Sequence, residues 1–448
     1  MEYLDALSPL DDRYRHATRG LLPYFSEHAF FSYRAEVELR YLTALIETVK
    51  PFTLTAREVQ TIHSAALLSQ QDYLRIKTIE QKTSHDLKAL EYFLIEKLND
   101  SRLTPFIHFG LTSEDTSNIA YALMLSDALT QVILPALNAI HERLLNLSGQ
   151  YRAAPILART HGQPASPTTF GKEMRVFHAR LQHRIESLQR SSLTAKLNGA
   201  TGNYSALATA YPHVDWVRFS QDFITSFNHN RPIPLRASLL TTQINPPESL
   251  VDLFDDLRGV NNILLDLCRD IWRYISDGWL VQSAQSGEIG SSTMPHKVNP
   301  IHFENAEGNL GLASALLMHF SQTLPISRLQ RDLSGSTLMR NIGVALGHTL
   351  LAFQSLQKGL SIIQLDSEKC AHILSQHPQV VTEAIQTILR REGIPDAYEQ
   401  LLALSRGKQI TSQDIMQFIH GLDIHQDVKE ELLALTPINY IGLADQLS

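Results

Sequence analysis

One short stretch, Gly287-Glu288-Ile289-Gly290-Ser291-Ser292-Thr293-Met294-Pro295-His296-Lys297-Val298-Asn299-Pro300, gathers glycines, adjacent hydroxyls, a lysine and an amide between two long helical patterns. Glycines let a backbone hinge and approach a ligand closely, so this composition suits a segment that closes over a substrate and brings a hydroxyl to it. A plain helix–helix linker also uses Gly and Ser. It has no need of Met-Pro-His-Lys-Val-Asn-Pro.

A second candidate is Arg159-Thr160-His161-Gly162-Gln163-Pro164, where Gly and Pro keep His161 off any helix face and hold it in a tight turn beside a cation and an amide. The stretch Ser327–Arg340 collects Arg328, Arg331 and Arg340 with Ser334, Ser336 and Thr337 at a helix start. Charge runs are usually solvated faces, but arginines joined by hydroxyls in an acidic chain suit phosphate. Thr83-Ser84-His85-Asp86 opens a helix and has two readings. Thr83 and Ser84 can simply cap it while Asp86 favours its positive end, or its free N–H groups and His85 can receive an anion. Thr112-Ser113-Glu114-Asp115 opens a further helix. Arg13-Tyr14 sits in a Pro-punctuated loop, where an exposed arginine is ordinarily just solvated. Gln243 lies in a polar loop, and Lys196-Leu197-Asn198-Gly199 reads equally as a Gly-terminated helix end or as a site segment.

Gly-Ser-Ser-x-Met-Pro-x-Lys-x-Asn-Pro resembles the fumarase/aspartase superfamily, whose members eliminate fumarate from a substituted succinate. Within it, the likeness is to the bacterial branch of the adenylosuccinate lyase family and runs nearly end to end. The resemblance implies Ser291 as general base, His161 as general acid, Lys297 as a donor to developing charge and Glu304 as the group orienting Lys297 or His161. It implies Asn299 as a second donor. It further implies Arg13, Tyr14, Arg331, Ser336 and Arg340 as nucleotide-phosphate contacts, Ser84, His85 and Asp86 as substrate binders, and Thr112, Ser113 and Gln243 as partners of succinyl or amide groups. The implied substrates are small nucleotides, the implied assembly a homotetramer with shared active sites, and no cofactor is implied. The departures are Asp12 where relatives commonly have Gly, Val298 where many have Arg, and Asn305 where many have Arg.

Two other readings remain open: a sister lyase whose substrate has no phosphate, and a non-catalytic relative that keeps only the fold. Intact Ser291, His161 and Lys297 argue against the second, and the Arg331/Ser336/Arg340 cluster argues against the first.

The elements that must position these groups are helices. Leu129, Ile133, Leu137, Ile140, Leu144 and Leu147 form one stripe at helical spacing, and Leu253, Leu257, Val260, Leu264, Leu267 and Ile271 form another. Pro135 interrupts the first stripe and predicts a kink. Segments from about Thr168 to Lys196, Pro300 to Leu324 and Ser334 to Leu360 supply three more long helices. Thr55-Ala56-Arg57-Glu58 reads as a capping box. The expected fold is all-α: an N-terminal helical domain (1–105), a central long-helix bundle (106–360) and a small C-terminal helical domain (361–448).

The 448 residues, 44% hydrophobic and 19% charged with a formal charge of −7, allow a large core and argue against general nucleic-acid binding. Two cysteines leave no disulfide framework. No signal-peptide pattern or uninterrupted apolar run of spanning length is read, so no membrane partner and a cytoplasmic location are expected. Motifs for metal, dinucleotide or P-loop chemistry are not found.

Overall fold

The computed structural model describes residues 6–283, 294, 297–405 and 410–448. They form two compact units: residues Met1–Asn138, His183–Leu265 and Ala306–Gln354, and residues Ala139–Gln182, Asp266–Asn305 and Ser355–Ser448. The class is all-α, with eight strands of two or three residues among the described residues.

In the first unit, Ser26 accepts the Ala29 N–H and so starts α1 (Glu27–Val49) by satisfying a donor that the helix itself cannot. The predicted capping box forms as read, Thr55 and Glu58 each bonding the other's backbone N–H. Helices α2 (Gln70–Thr83) and α3 (Asp86–Leu98) pack with α1 around Phe31, Leu39, Leu42, Ile76, Leu90 and Leu94. α4 (Ser113–Ala128) is buried over most of its circumference, as Ile119, Leu123 and Leu125 all show no exposure.

Both predicted stripes are fully buried. Each such side chain contributes about 1.5–3 kcal/mol relative to an exposed one. Leu129–Ile133 forms a π turn, with the Leu134 N–H reaching back to the Leu129 carbonyl, and α5 (Leu134–Gln150) follows. Pro135 has no N–H and crowds the turn before it; the wider turn lies in that place. Helices 113–150 taken together are long and apolar enough to cross a membrane, but 67% of their most apolar window is buried inside the protein.

α6 (Phe170–Arg190) ends short of the expected Lys196, α7 (Glu248–Ser276) carries the second stripe, and α8 (Ile301–Thr323) matches the expected Pro300–Leu324 closely. Within the first unit, Phe254 of α7 lies 5.7 Å from Phe320 of α8. Two expectations are corrected. The segment after Arg190 is a strand, β3 (Leu193–Ala195), paired in parallel with β4 (Leu235–Ala237), because Leu193, Ala195 and Leu235 are buried in an extended register rather than on a helical face. Lys196 therefore follows a strand rather than ending a helix. The helix expected over 334–360 is two: α9 (Ser334–Met339) and α10 (Ile342–Ile362).

In the second unit, β1 (Arg159–Thr160) and β2 (Gln163–Pro164) make a small hairpin. Gly359 of α10 meets the Phe303 ring so closely that a Cβ would stand 2.8 Å from it, which is why a glycine sits there. Short helices from Ser367 to Leu433 complete this unit.

Candidate active site

A cavity of about 500 Å³ lies within the first unit. It is lined by Ser84, His85 and Asp86 between α2 and α3, by Ser113 and Glu114 at the start of α4, and by Arg331, Ser336 and Arg340 around α9. Residues as far apart in the chain as Ser84 and Arg340 thus converge on one space, and all of those named but Glu114 are site candidates from sequence.

The local folding of 83–86 differs from the capping expected there. Ser84 ends α2 in the left-handed conformation, φ 51°, and His85 is the cap of α3: its Nδ1 accepts the Lys88 N–H at 3.1 Å. Nδ1 is therefore unprotonated, and in the neutral ring the proton sits on Nε2, free to donate. Thr83 and Ser84 do not cap α3.

Asp86 is held by two guanidiniums. Arg34 Nη1 donates to it at 2.8 Å and Arg340 Nη2 at 2.5 Å. Burial opposes its charge, but Arg34 and Arg340 together with the Leu87 N–H overcome that and keep the carboxyl well below the usual range. Its oxygen thus orients arginines. Arg34 also donates to Ser117 at 3.0 Å and lies 3.7 Å over the Phe30 ring. Sequence reading missed Arg34, because a lone arginine inside an apolar helix has no local signal beyond its place on the buried face.

Arg331 donates to Ser336 at 3.2 Å and stands 3.6 Å from Glu114. Arg331, Ser336 and Arg340 line the same cavity, whereas Arg328 turns outward and pairs with Asp332 at 3.4 Å. Arg331, Arg340 and Arg34 give the cavity three guanidiniums, which suits a phosphate or carboxylate.

The start of α4 is fixed from below. Asp115 accepts from Lys196 Nζ at 2.7 Å, from the Asn198 and Gly199 N–H groups at 3.1 Å, and from the Thr112 N–H at 2.9 Å. Both charged side chains are fully buried. Lys196 is therefore an anchor for the Thr112–Glu114 rim, and it follows a strand where a Gly-terminated helix end is one of the two expectations. Thr112 meets Gln243 at 3.4 Å, one residue outside the cavity wall formed by Ser113 and Ile244.

The remaining described candidates are not among the residues that line this cavity. Arg13 is exposed and Tyr14 half-buried in one turn, the guanidinium 5.7 Å from the phenol ring. His161 and Gly162 form the two-residue tip of the β1–β2 hairpin, both with positive φ (52° and 76°), and Arg159 donates to the Gly162 carbonyl at 3.3 Å. The His161 side chain is exposed. Lys297 is exposed, its N–H bonded to the Met294 carbonyl, and Asn299 is half-buried. Glu304, in the first turn of α8, accepts the Trp272 indole N–H at 3.1 Å. Ser291 lies outside the described residues. Among the described residues, no group of three or more His, Cys, Asp or Glu is placed to hold a metal.

The chain matches the family model described as Lyase over residues 16–313 and the model described as Adenylosuccinate lyase C-terminal over 327–441. It is 45% identical to an adenylosuccinate lyase of Haemophilus influenzae, covering 99% of this chain and 98% of that one. It is also 46% identical to that of Dictyostelium discoideum (98% and 97% covered) and 44% to that of Escherichia coli K12 (98% and 97%). The fold is shared with a fumarate lyase from Mesorhizobium sp. BNC1, at TM-score 0.75 and 18% identity over 96% of each chain. It is shared too with a 3-carboxy-cis,cis-muconate lactonizing enzyme from Pseudomonas putida, at TM-score 0.76 and 18% identity over 96% and 95%. The end-to-end identity and both family models place this chain in the adenylosuccinate lyase family of the fumarase/aspartase superfamily.

Proposed function

We propose that this enzyme removes fumarate from adenylosuccinate, leaving AMP, and from succinylaminoimidazole-carboxamide ribotide, leaving AICAR. The observation that carries the reading is the meeting of Arg331, Ser336 and Arg340 with Ser84 and His85 on one cavity. A sugar phosphate fits the guanidiniums, while Ser113, Thr112 and Gln243 stand at the rim for succinyl or amide groups.

The difficult species is the carbanion beside an ionised carboxylate, which becomes a doubly charged aci-form. Preorganised donors lower that barrier by about 3 kcal/mol each, and Lys297 and Asn299 take this role. Ser291, ionised beside Lys297 with water excluded, removes the proton from the carbon next to the carboxylate. The carbon–nitrogen bond then breaks, and His161 protonates the departing purine or imidazole-carboxamide, a contribution of about 10²- to 10⁴-fold. Glu304 orients the cationic side of this machinery. Asp86 contributes through the arginines it holds.

His161 on its hairpin tip and Arg13-Tyr14 in their turn would meet a neighbouring subunit, in a cytoplasmic homotetramer whose active sites are shared. Exposed Leu145, Val176, Trp272, Leu312 and Met318 on the long helices support such association. The N-terminal, central and C-terminal division at 105 and 360 belongs to the same proposal.

Fumarate release measured from adenylosuccinate, argininosuccinate, malate and aspartate tests the reading. Turnover of adenylosuccinate alone is expected. Turnover of argininosuccinate without adenylosuccinate overturns it in favour of a sister lyase.

A further inference from the structure

Two of the carboxyls that line the cavity stand under opposite conditions. Asp86 receives two arginine hydrogen bonds. Glu114, with 19% of its side chain exposed, has Arg331 at 3.6 Å, an ion pair too long to be a hydrogen bond. Arg331 spends its Nη2 on Ser336 instead, at 3.2 Å. A phosphate accepted by Arg331 and Ser336 would stand beside this second anion and take its counter-charge away. We infer that Glu114 is a positioning residue that holds Arg331 in the empty site and takes up one proton from solvent when a phosphate claims that arginine. The inference rests on the cavity being the nucleotide-phosphate site.

The surroundings support the direction. Burial raises the Glu114 carboxyl above its usual value; Arg331, Lys196 and Arg34 pull it down, and Asp115 pushes it up. Tyr121 on the same helix is pushed up to about 12 by burial and stays neutral. Asp86 and Arg340 are paired with each other; the further titratable groups on the wall are His85, Glu80, which is paired with Lys77, and Asp332, which is paired with Arg328. An added phosphate charge raises the Glu114 carboxyl further, so binding consumes a proton between the free and bound values. Below the free value affinity does not depend on this group. Above it, affinity falls by up to about tenfold per pH unit until the bound value is reached. The phosphate's own ionisation near pH ~6 is common to wild type and variant, as are the other wall groups, so a comparison cancels it.

The test is calorimetry of AMP binding to the full-length enzyme in two buffers of different protonation enthalpy. Wild type should take up as much as about one proton more than Glu114→Gln, with Glu114→Asp restoring the uptake. The same Gln variant should flatten the high-pH rise in KM for adenylosuccinate. Equal uptake by wild type and variant overturns the inference. Failure of wild type to bind AMP overturns the phosphate-site reading instead. Should Glu114→Gln not fold, infrared difference spectra of the wild type decide: a protonated-carboxyl band must grow on AMP binding, and its absence contradicts the proposal.

Discussion

The cavity of the first unit and the β1–β2 hairpin of the second are built on opposite plans. In and beneath the cavity, charges are paired before any ligand arrives: Asp86 between two arginines, Glu114 against Arg331, Asp115 on Lys196. At the hairpin, His161 is exposed on a two-residue turn whose shape depends on backbone geometry. The first arrangement suits tight, oriented binding, since little reorganisation is left to do. The second suits a group completed by its surroundings only when the assembly and ligand are in place. On this account binding and chemistry are separable, and substitutions in the two regions must fail differently.

The largest effect belongs to the chemistry. His161→Asn should lower kcat by about 10²–10⁴-fold, and Ser291→Ala should remove nearly all turnover, while AMP binding measured by calorimetry persists in both. Loss of AMP binding alongside turnover would erase the distinction between the regions.

Next comes the anchor beneath the cavity. Lys196→Met leaves Asp115 buried without its cation, which costs about 3–5 kcal/mol. Denaturant titration should show that loss, and the displaced Thr112–Glu114 rim should weaken AMP binding as well. An unchanged midpoint would mean that the buried pair does not fix this rim.

Much of the architecture is legible in the sequence. Stripes such as Leu253–Ile271 repeat at helical spacing, and burial of one helix face is a local property of sequence. The cluster at 331–340 is legible for the same reason: its members are neighbours in the chain. What escapes is long-range pairing. Arg34 meets Asp86 52 residues away and Ser117 83 residues away, and nothing near Arg34 announces either. Glu114 reads as an ordinary acid in a helix's first turn until Arg331 is seen beside it. His85 escapes as a cap because Ser and Thr are the expected caps and two such residues precede it.

A smaller effect sharpens the electrostatic side of the comparison. Asp86 titrates lower when folded than its usual value of about 3.9. Its contribution to stability is therefore complete above the unfolded value and lost as pH falls through the lower folded value. Urea midpoints followed from about pH 6 to about pH 3 should show a steeper acid decline in wild type than in Asp86→Asn. Parallel declines would show that the two arginines do not hold this carboxyl.

The smallest effect tests the hairpin. Gly162 has φ 76° with no atom of the described residues within 4 Å of the site of a Cβ, so among them Gly162→Ala adds backbone strain alone, about 1 kcal/mol. A severalfold fall in kcat with unchanged AMP affinity is expected; an unchanged kcat would show that the turn does not orient His161.

A crystal structure of the assembled enzyme with AMP and fumarate tests the central claim most directly. The account predicts the phosphate on Arg331, Ser336 and Arg340, with a His161 imidazole about 3 Å from the nitrogen that left the succinyl carbon. A phosphate bound away from those three side chains, or a purine beyond the reach of any His161 in the assembly, would contradict it.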